Sequence, residues 1–142
     1  MLRLTRRYPF CASHRLQVDS LTEEENQRLF GKCNNPYGHG HNYVLELSIE
    51  GEADPDTGLL AARDALDRMV HERVIAQIDH KDMNADVAEF QQRNPTTENL
   101  AIVMGEWLCQ AWRAAPPAPG ARLARIRLEE TGKNSFEFDM RQ

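Results

Sequence analysis

Residues 41–51 read HNYVLELSIEG, and their alternation decides the fold. Tyr43, Leu45, Leu47 and Ile49 share one parity, while Asn42, Glu46, Ser48 and Glu50 share the other. That is the period-two pattern of a strand buried on one side. The apolar parity runs back through His41 to His39 in the preceding stretch, GKCNNPYGHGHNY (31–43). Two imidazoles therefore extend the apolar side of this strand, with a cysteine, Cys33, a few residues upstream. Two neutral imidazoles with a third donor nearby suit a tetrahedral zinc that keeps one position open. Cys33 has three open roles: a fourth ligand, or a nucleophile or base beside the metal.

Outward from this strand the remaining elements follow. In residues 2–14, Tyr8, Phe10, Ala12 and His14 share a parity, so a strand is expected with His14 as its last inward residue. Residues 15–38 are polar, contain TEEEN and Pro36–Gly38, and predict a long excursion with room for one helical turn. The run ADPDTG (53–58) is a turn. Leu66, Met69, Val70, Val74 and Ile78 recur at three- and four-residue spacing and predict a helix over 61–78. Leu100, Val103, Met104, Trp107, Leu108 and Ala111 predict a second over 95–113, begun by Pro95 and Thr96 or Thr97 and ended by PPAPG (116–120). Ala124, Ile126 and Leu128 mark a third strand, and Phe136 and Phe138 a fourth after the TGKN turn (131–134). The order strand, strand, helix, helix, strand, strand predicts an α+β domain over 1–142, a four-stranded antiparallel sheet with two helices on one face.

With 41% hydrophobic and 27% charged residues, the composition excludes a disordered chain. No apolar run approaches the roughly 18–20 residues of a membrane span. MLRLTRRYPF lacks the continuous apolar region of a secretory signal. Cys11, Cys33 and Cys109 have no disulfide-framework spacing, which favours the reducing cytoplasm. A net charge of −5 argues against a nucleic-acid surface.

His14, His39, His41 and Glu130 thus sit at strand ends on otherwise apolar faces. A buried unpaired charge is costly, and a metal or polar ligand would relieve all four. Cys11 and Cys109 read as packing residues, and His71 as a solvated histidine on a charged helix face. Asp79 and His80 end the first helix and gain functional weight only beside Cys33.

FCASHRL (10–16), LFGKCNNPYGHGHNY (29–43), GEADPDTGLL (51–60), IDHKDMN (78–84), PTTENLA (95–101) and EET (129–131) together resemble the 6-pyruvoyltetrahydropterin synthase family in order and spacing. The resemblance implies a tunnelling fold, in which three subunits close a barrel and two trimers stack into a homohexamer with intersubunit active sites. It implies Zn²⁺ ligands at His14, His39 and His41, a catalytic Cys33 with the pair Asp79 and His80, and pterin contacts at Glu130, Thr96 and Thr97. The implied substrate is 7,8-dihydroneopterin triphosphate, converted to 6-pyruvoyl-tetrahydropterin with loss of triphosphate. Lys32, Arg15 and Lys133 are candidate cations for that triphosphate. The related 6-carboxy-tetrahydropterin synthases of the queuosine pathway use the same substrate, but usually place the cysteine four residues before the first histidine. Here Cys33 leads His39 by six, as in the pyruvoyl branch, though Tyr37 replaces that branch's usual asparagine. A third expectation, from another class, is a non-catalytic zinc-stabilised binding protein with Cys33 as fourth ligand.

Overall fold

The computed structural model describes residues 1–141. In chain order it contains β1 (Leu2–His14), α1 (Glu23–Phe30), β2 (His39–Gly51), α2 (Arg63–Val70), α3 (Ala76–Ile78), β3 (Lys81–Asp82), α4 (Met83–Asp86), α5 (Thr97–Ala114), β4 (Ala121–Thr131) and β5 (Asn134–Asp139). The strands form one sheet in the order β3-β1-β2-β4-β5. The β1–β2, β2–β4 and β4–β5 pairs are antiparallel. The expected four-stranded sheet is corrected by β3, a two-residue strand parallel to β1. It forms because the chain leaving α3 is tied to the outer edge of β1. The His80 N–H donates to the Cys11 carbonyl at 2.7 Å, and the Cys11 N–H donates to the Asp79 carboxylate at 3.0 Å.

Register sets the layers. Tyr8 pairs with Leu45 and Phe10 with Tyr43 across β1 and β2, and Leu45 pairs with Leu128 and Leu47 with Ile126 across β2 and β4. These side chains bury against Leu66, Val70, Val74 and Ile78 from one helical run and Leu100, Met104 and Leu108 from α5. The predicted 61–78 helix is one run in which a π-helical stretch, His71–Ile75, joins α2 to α3. The opposite face carries charge instead: Glu50 pairs with Arg3 and Arg122, and Glu46 with Arg7 and Arg127. Alternation thus divides the sheet into a helix-covered side and a polar side.

Helix α5 and β5 approach closely at Gly105, where an added Cβ would lie 2.5 Å from the Phe138 ring. Overpacking of that kind costs about 1–3 kcal/mol, against about 1 kcal/mol gained by replacing a mid-helix glycine. Gly105→Ala is expected to lower Tm by a few degrees in a thermal melt. An unchanged or raised Tm would show that Phe138 swings aside without loss.

Candidate metal centre and catalytic residues

His14 ends β1 and His39 begins β2, and the two are register partners; Ala12 faces His41 two pairs further in. Both strands therefore bring imidazoles to one end of the helix-covered side. His14 is buried and its Nδ1 lies 2.7 Å from the Pro95 carbonyl, just before α5. Since a carbonyl can only accept, Nδ1 carries the proton and Nε2 presents a lone pair. That Nε2 lies 3.2 Å from His41 Nε2 and 3.4 Å from Cys33 Sγ, and Cys33 Sγ lies 3.5 Å from His41 Nε2. Burial holds the pKa of both His14 and His41 below the usual histidine value, which favours the neutral, ligating form.

The donor set fits a metal ion. Ligand atoms about 2.0–2.3 Å from a tetrahedral zinc stand roughly 3.3–3.8 Å from one another, close to the separations here. Glu130 Oε1 completes the group at 3.2 Å from His41 Nε2. The donor atoms of His14, Cys33, His41 and Glu130 all lie within 4.8 Å of one another. His39 stands beside this group, its ring centroid 4.6 Å from that of His41, but its nitrogens are outside the mutually close set.

Cys33 is delivered by the long excursion. Thr22 caps α1 in a capping box with Glu25, and a 3-10 turn, Gly31–Asn34, follows directly. The Leu16 N–H donates to the Cys33 carbonyl at 2.7 Å, and the Asn34 amide donates to the Leu16 carbonyl at 2.9 Å. Gly38 turns the chain into β2 at φ +78°, where a Cβ would meet the His14 carbonyl at 3.0 Å. The loop is thus strapped to the chain just beyond His14. Burial, and then the charge of Glu130, push the Cys33 thiol up.

Glu130 lies on β4 where the β4–β5 register shifts between Glu129 and Thr131. Despite that irregularity it keeps the parity of Ile126 and Leu128 and reaches the centre. Of the two threonines singled out by sequence, Thr96 spends its hydroxyl capping α5, accepting from Asn99 N–H at 3.2 Å. Thr97 is buried, and neither its hydroxyl nor that of buried Tyr43 has a hydrogen-bond partner.

Asp79 and His80 form a second group with Cys11. His80 Nδ1 lies 3.0 Å from Asp79 Oδ1, and His80 takes a left-handed φ of 59°, rare for a residue with a Cβ. The Cys11 N–H bond holds the Asp79 carboxyl below the ordinary aspartate range. The imidazole is mostly exposed, so its other nitrogen faces outward beside a cleft of about 590 Å³ lined by Cys11, Ser13, Gly40, Asn42 and Lys81. Among the described residues, no close group contains both Cys33 and this pair.

Sequence reading missed Pro95 and Asn34, which act through a backbone carbonyl and a backbone-directed amide. It also missed Tyr43 as anything but core, although its place two residues after His41 on the same face was a usable signal.

Comparison with known proteins agrees with this layout. The family model described as 6-pyruvoyl tetrahydropterin synthase matches residues 3–141. A 6-pyruvoyl tetrahydrobiopterin synthase from Poecilia reticulata is 40% identical over 131 residues, 92% of this chain and 85% of the relative. A 6-carboxy-5,6,7,8-tetrahydropterin synthase from Rickettsia conorii is 29% identical over 116 residues, 71% of this chain and 75% of the relative. The solved structure of the Caenorhabditis elegans 6-pyruvoyl tetrahydropterin synthase superposes with a TM-score of 0.85 at 36% identity, covering 97% of this chain and 94% of that one. With the family pattern matched from β1 past β5, this chain belongs to the 6-pyruvoyl tetrahydropterin synthase family.

Proposed function

We propose that the protein is a zinc-dependent lyase that converts 7,8-dihydroneopterin triphosphate to 6-pyruvoyl-tetrahydropterin and triphosphate. The observation that carries this reading is the convergence of His14 Nε2, His41 Nε2 and Cys33 Sγ within 3.5 Å, beside Glu130. The pyruvoyl branch is supported by the 40% identity to a relative bearing that name, against 29% to one of the carboxy branch.

His14, His39 and His41 hold the metal in this reading. Zn²⁺, when bound, supplies positive charge beside the substrate's side-chain hydroxyls and so acidifies the neighbouring C–H bonds. Cys33 accepts a proton from a side-chain carbon. His80, oriented by Asp79, returns a proton to the substrate. The carbon–oxygen bond to triphosphate breaks and tautomerisation completes the pyruvoyl side chain, so the conversion is an internal redistribution of protons and electrons. Glu130 accepts paired hydrogen bonds from the amino group and ring N–H of the pterin, with Thr96 and Thr97 at its edge. Because Cys33 and the Asp79–His80 pair fall in separate groups within one chain, a site completed between neighbouring chains of a homohexamer, a dimer of trimers, suits them. Three unpaired cysteines suit a cytoplasmic setting; among the described residues no helix is long and apolar enough to cross a membrane.

One observation favours a second reading. Cys33 belongs to the close donor set and His39 does not, so Cys33 is a candidate metal ligand in a zinc-stabilised binding protein. Incubating the zinc-loaded protein with 7,8-dihydroneopterin triphosphate and identifying the product by mass tests the primary reading. The pyruvoyl product is expected. A carboxy product with acetaldehyde would move the protein to the other branch, and no turnover would favour the binding protein.

A further inference from the structure

Two buried hydroxyls near the metal centre have no partner, and burying such groups unpaired is costly. Tyr43 is 1% exposed and Thr97 3%. The Tyr43 ring is fixed from two sides. It stacks on Phe10 with centroids 4.9 Å apart and planes 11° apart, and meets the His41 ring edge-on at 5.6 Å. It also shares a strand face with His41, and both Tyr43 and Glu130 lie one residue beyond Val44–Glu129, the last β2–β4 pair at this end of the sheet. Burial first, and then the Glu130 charge, push the Tyr43 phenol up, while the nearby Thr97 hydroxyl, outside hydrogen-bond geometry, pulls the other way. The fixed phenol thus lies at the same end of the sheet as Glu130 and makes no hydrogen bond to its carboxylate.

Glu130 instead lies 3.2 Å from His41 Nε2. That nitrogen is the atom His41 offers to a metal, and ligation would end its pairing with Glu130. The carboxylate then has two courses. It can follow the metal and become a further ligand, which its place in the four-donor set allows. Or it can turn to the unpaired Tyr43 and Thr97 hydroxyls. The first course closes the coordination sphere as in a structural site; the second leaves the open position that a catalytic site needs.

We propose that Tyr43 is a positioning residue for Glu130: its hydroxyl, assisted by that of Thr97, takes the carboxylate when His41 binds a metal and keeps it off the ion and aimed at the pterin. The proposal rests on the pterin-site reading above for its ligand, but not for its metal chemistry. Tyr43→Phe removes only the oxygen and keeps both ring contacts; Thr97→Val is the independent second variant.

The test measures zinc affinity by competition with a chromophoric chelator, and binding of neopterin, a pterin without phosphates, by fluorescence. Tyr43→Phe is expected to bind zinc about tenfold more tightly and neopterin about tenfold more weakly, the size of one hydrogen bond to a charged group. Thr97→Val should shift both in the same directions. In a Glu130→Gln background the Tyr43→Phe change should alter neither affinity, because the coupling runs through the carboxylate. Unchanged zinc affinity in Tyr43→Phe, or an effect that persists undiminished with Glu130→Gln, would overturn the proposal. Failure of the wild-type zinc form to bind neopterin would count against the pterin site, while the zinc affinities would still decide the role of Tyr43.

Discussion

Cys33→Ala is expected to lose at least a hundredfold in turnover while still binding one zinc per chain. If Cys33 is the general base proposed above, its removal costs about 10²–10⁴ in rate. The retained metal is the sharper half of the expectation. If His14, His39 and His41 supply the ligands, deleting the thiol leaves the coordination intact. If Cys33 is itself a ligand, as its 3.4 and 3.5 Å approaches to the two Nε2 atoms allow, the variant sheds zinc and melts earlier. The thiol stands where either role is open. Burial and the Glu130 charge raise its pKa, so it needs a neighbouring positive charge to become a thiolate at neutral pH. A zinc ion at the centre would provide that charge in both cases, and pKa alone therefore does not separate them. Metal analysis of Cys33→Ala beside its turnover does: zinc lost with the thiol would identify a ligand.

The residues around Cys33 differ in how far their placement was legible in the sequence. His14, His41 and Glu130 were legible because strand parity holds to the last residue of β1, to the start of β2 and even through the register shift near Glu130. His39 has the same parity, yet its nitrogens stand outside the close donor set. Parity assigns a face, not a side-chain rotation, and a terminal strand residue has rotational freedom that its central neighbours lack. The excursion that carries Cys33 was legible as such, with the helical turn that α1 supplies, but its path back to the centre was not. Its path depends on Leu16, Asn34 and the Gly38 backbone approach to His14, contacts that span the excursion and leave no periodic trace. The fifth strand was hidden for a related reason. Two residues are too few to alternate, and β3 exists only because Asp79 and His80 bond to Cys11.

Mixing two inactive variants is expected to restore activity. In the proposed mechanism Cys33→Ala lacks the base and His80→Ala lacks the proton shuttle, so each alone should be nearly inert. Within one chain the thiol groups with His14, His41 and Glu130, whereas His80 groups with Asp79 and Cys11 at the outer edge of β1. The imidazole there is mostly exposed and is held in a left-handed backbone conformation that a free chain would avoid. Such strain persists when the surrounding bonds over-determine it, and it concentrates at functional sites. An exposed, strained histidine with an oriented Nδ1 is equipped to act on something outside its own chain. If a neighbouring subunit brings its Cys33 centre there, a mixed assembly contains interfaces with an intact Cys33 on one side and an intact His80 on the other. Random pairing of equal amounts makes about one interface in four complete. Co-refolding or co-expression of the two variants should therefore recover about a quarter of wild-type turnover. If each chain carries its whole site, every chain in the mixture still lacks one group, and activity stays at the level of the separate variants.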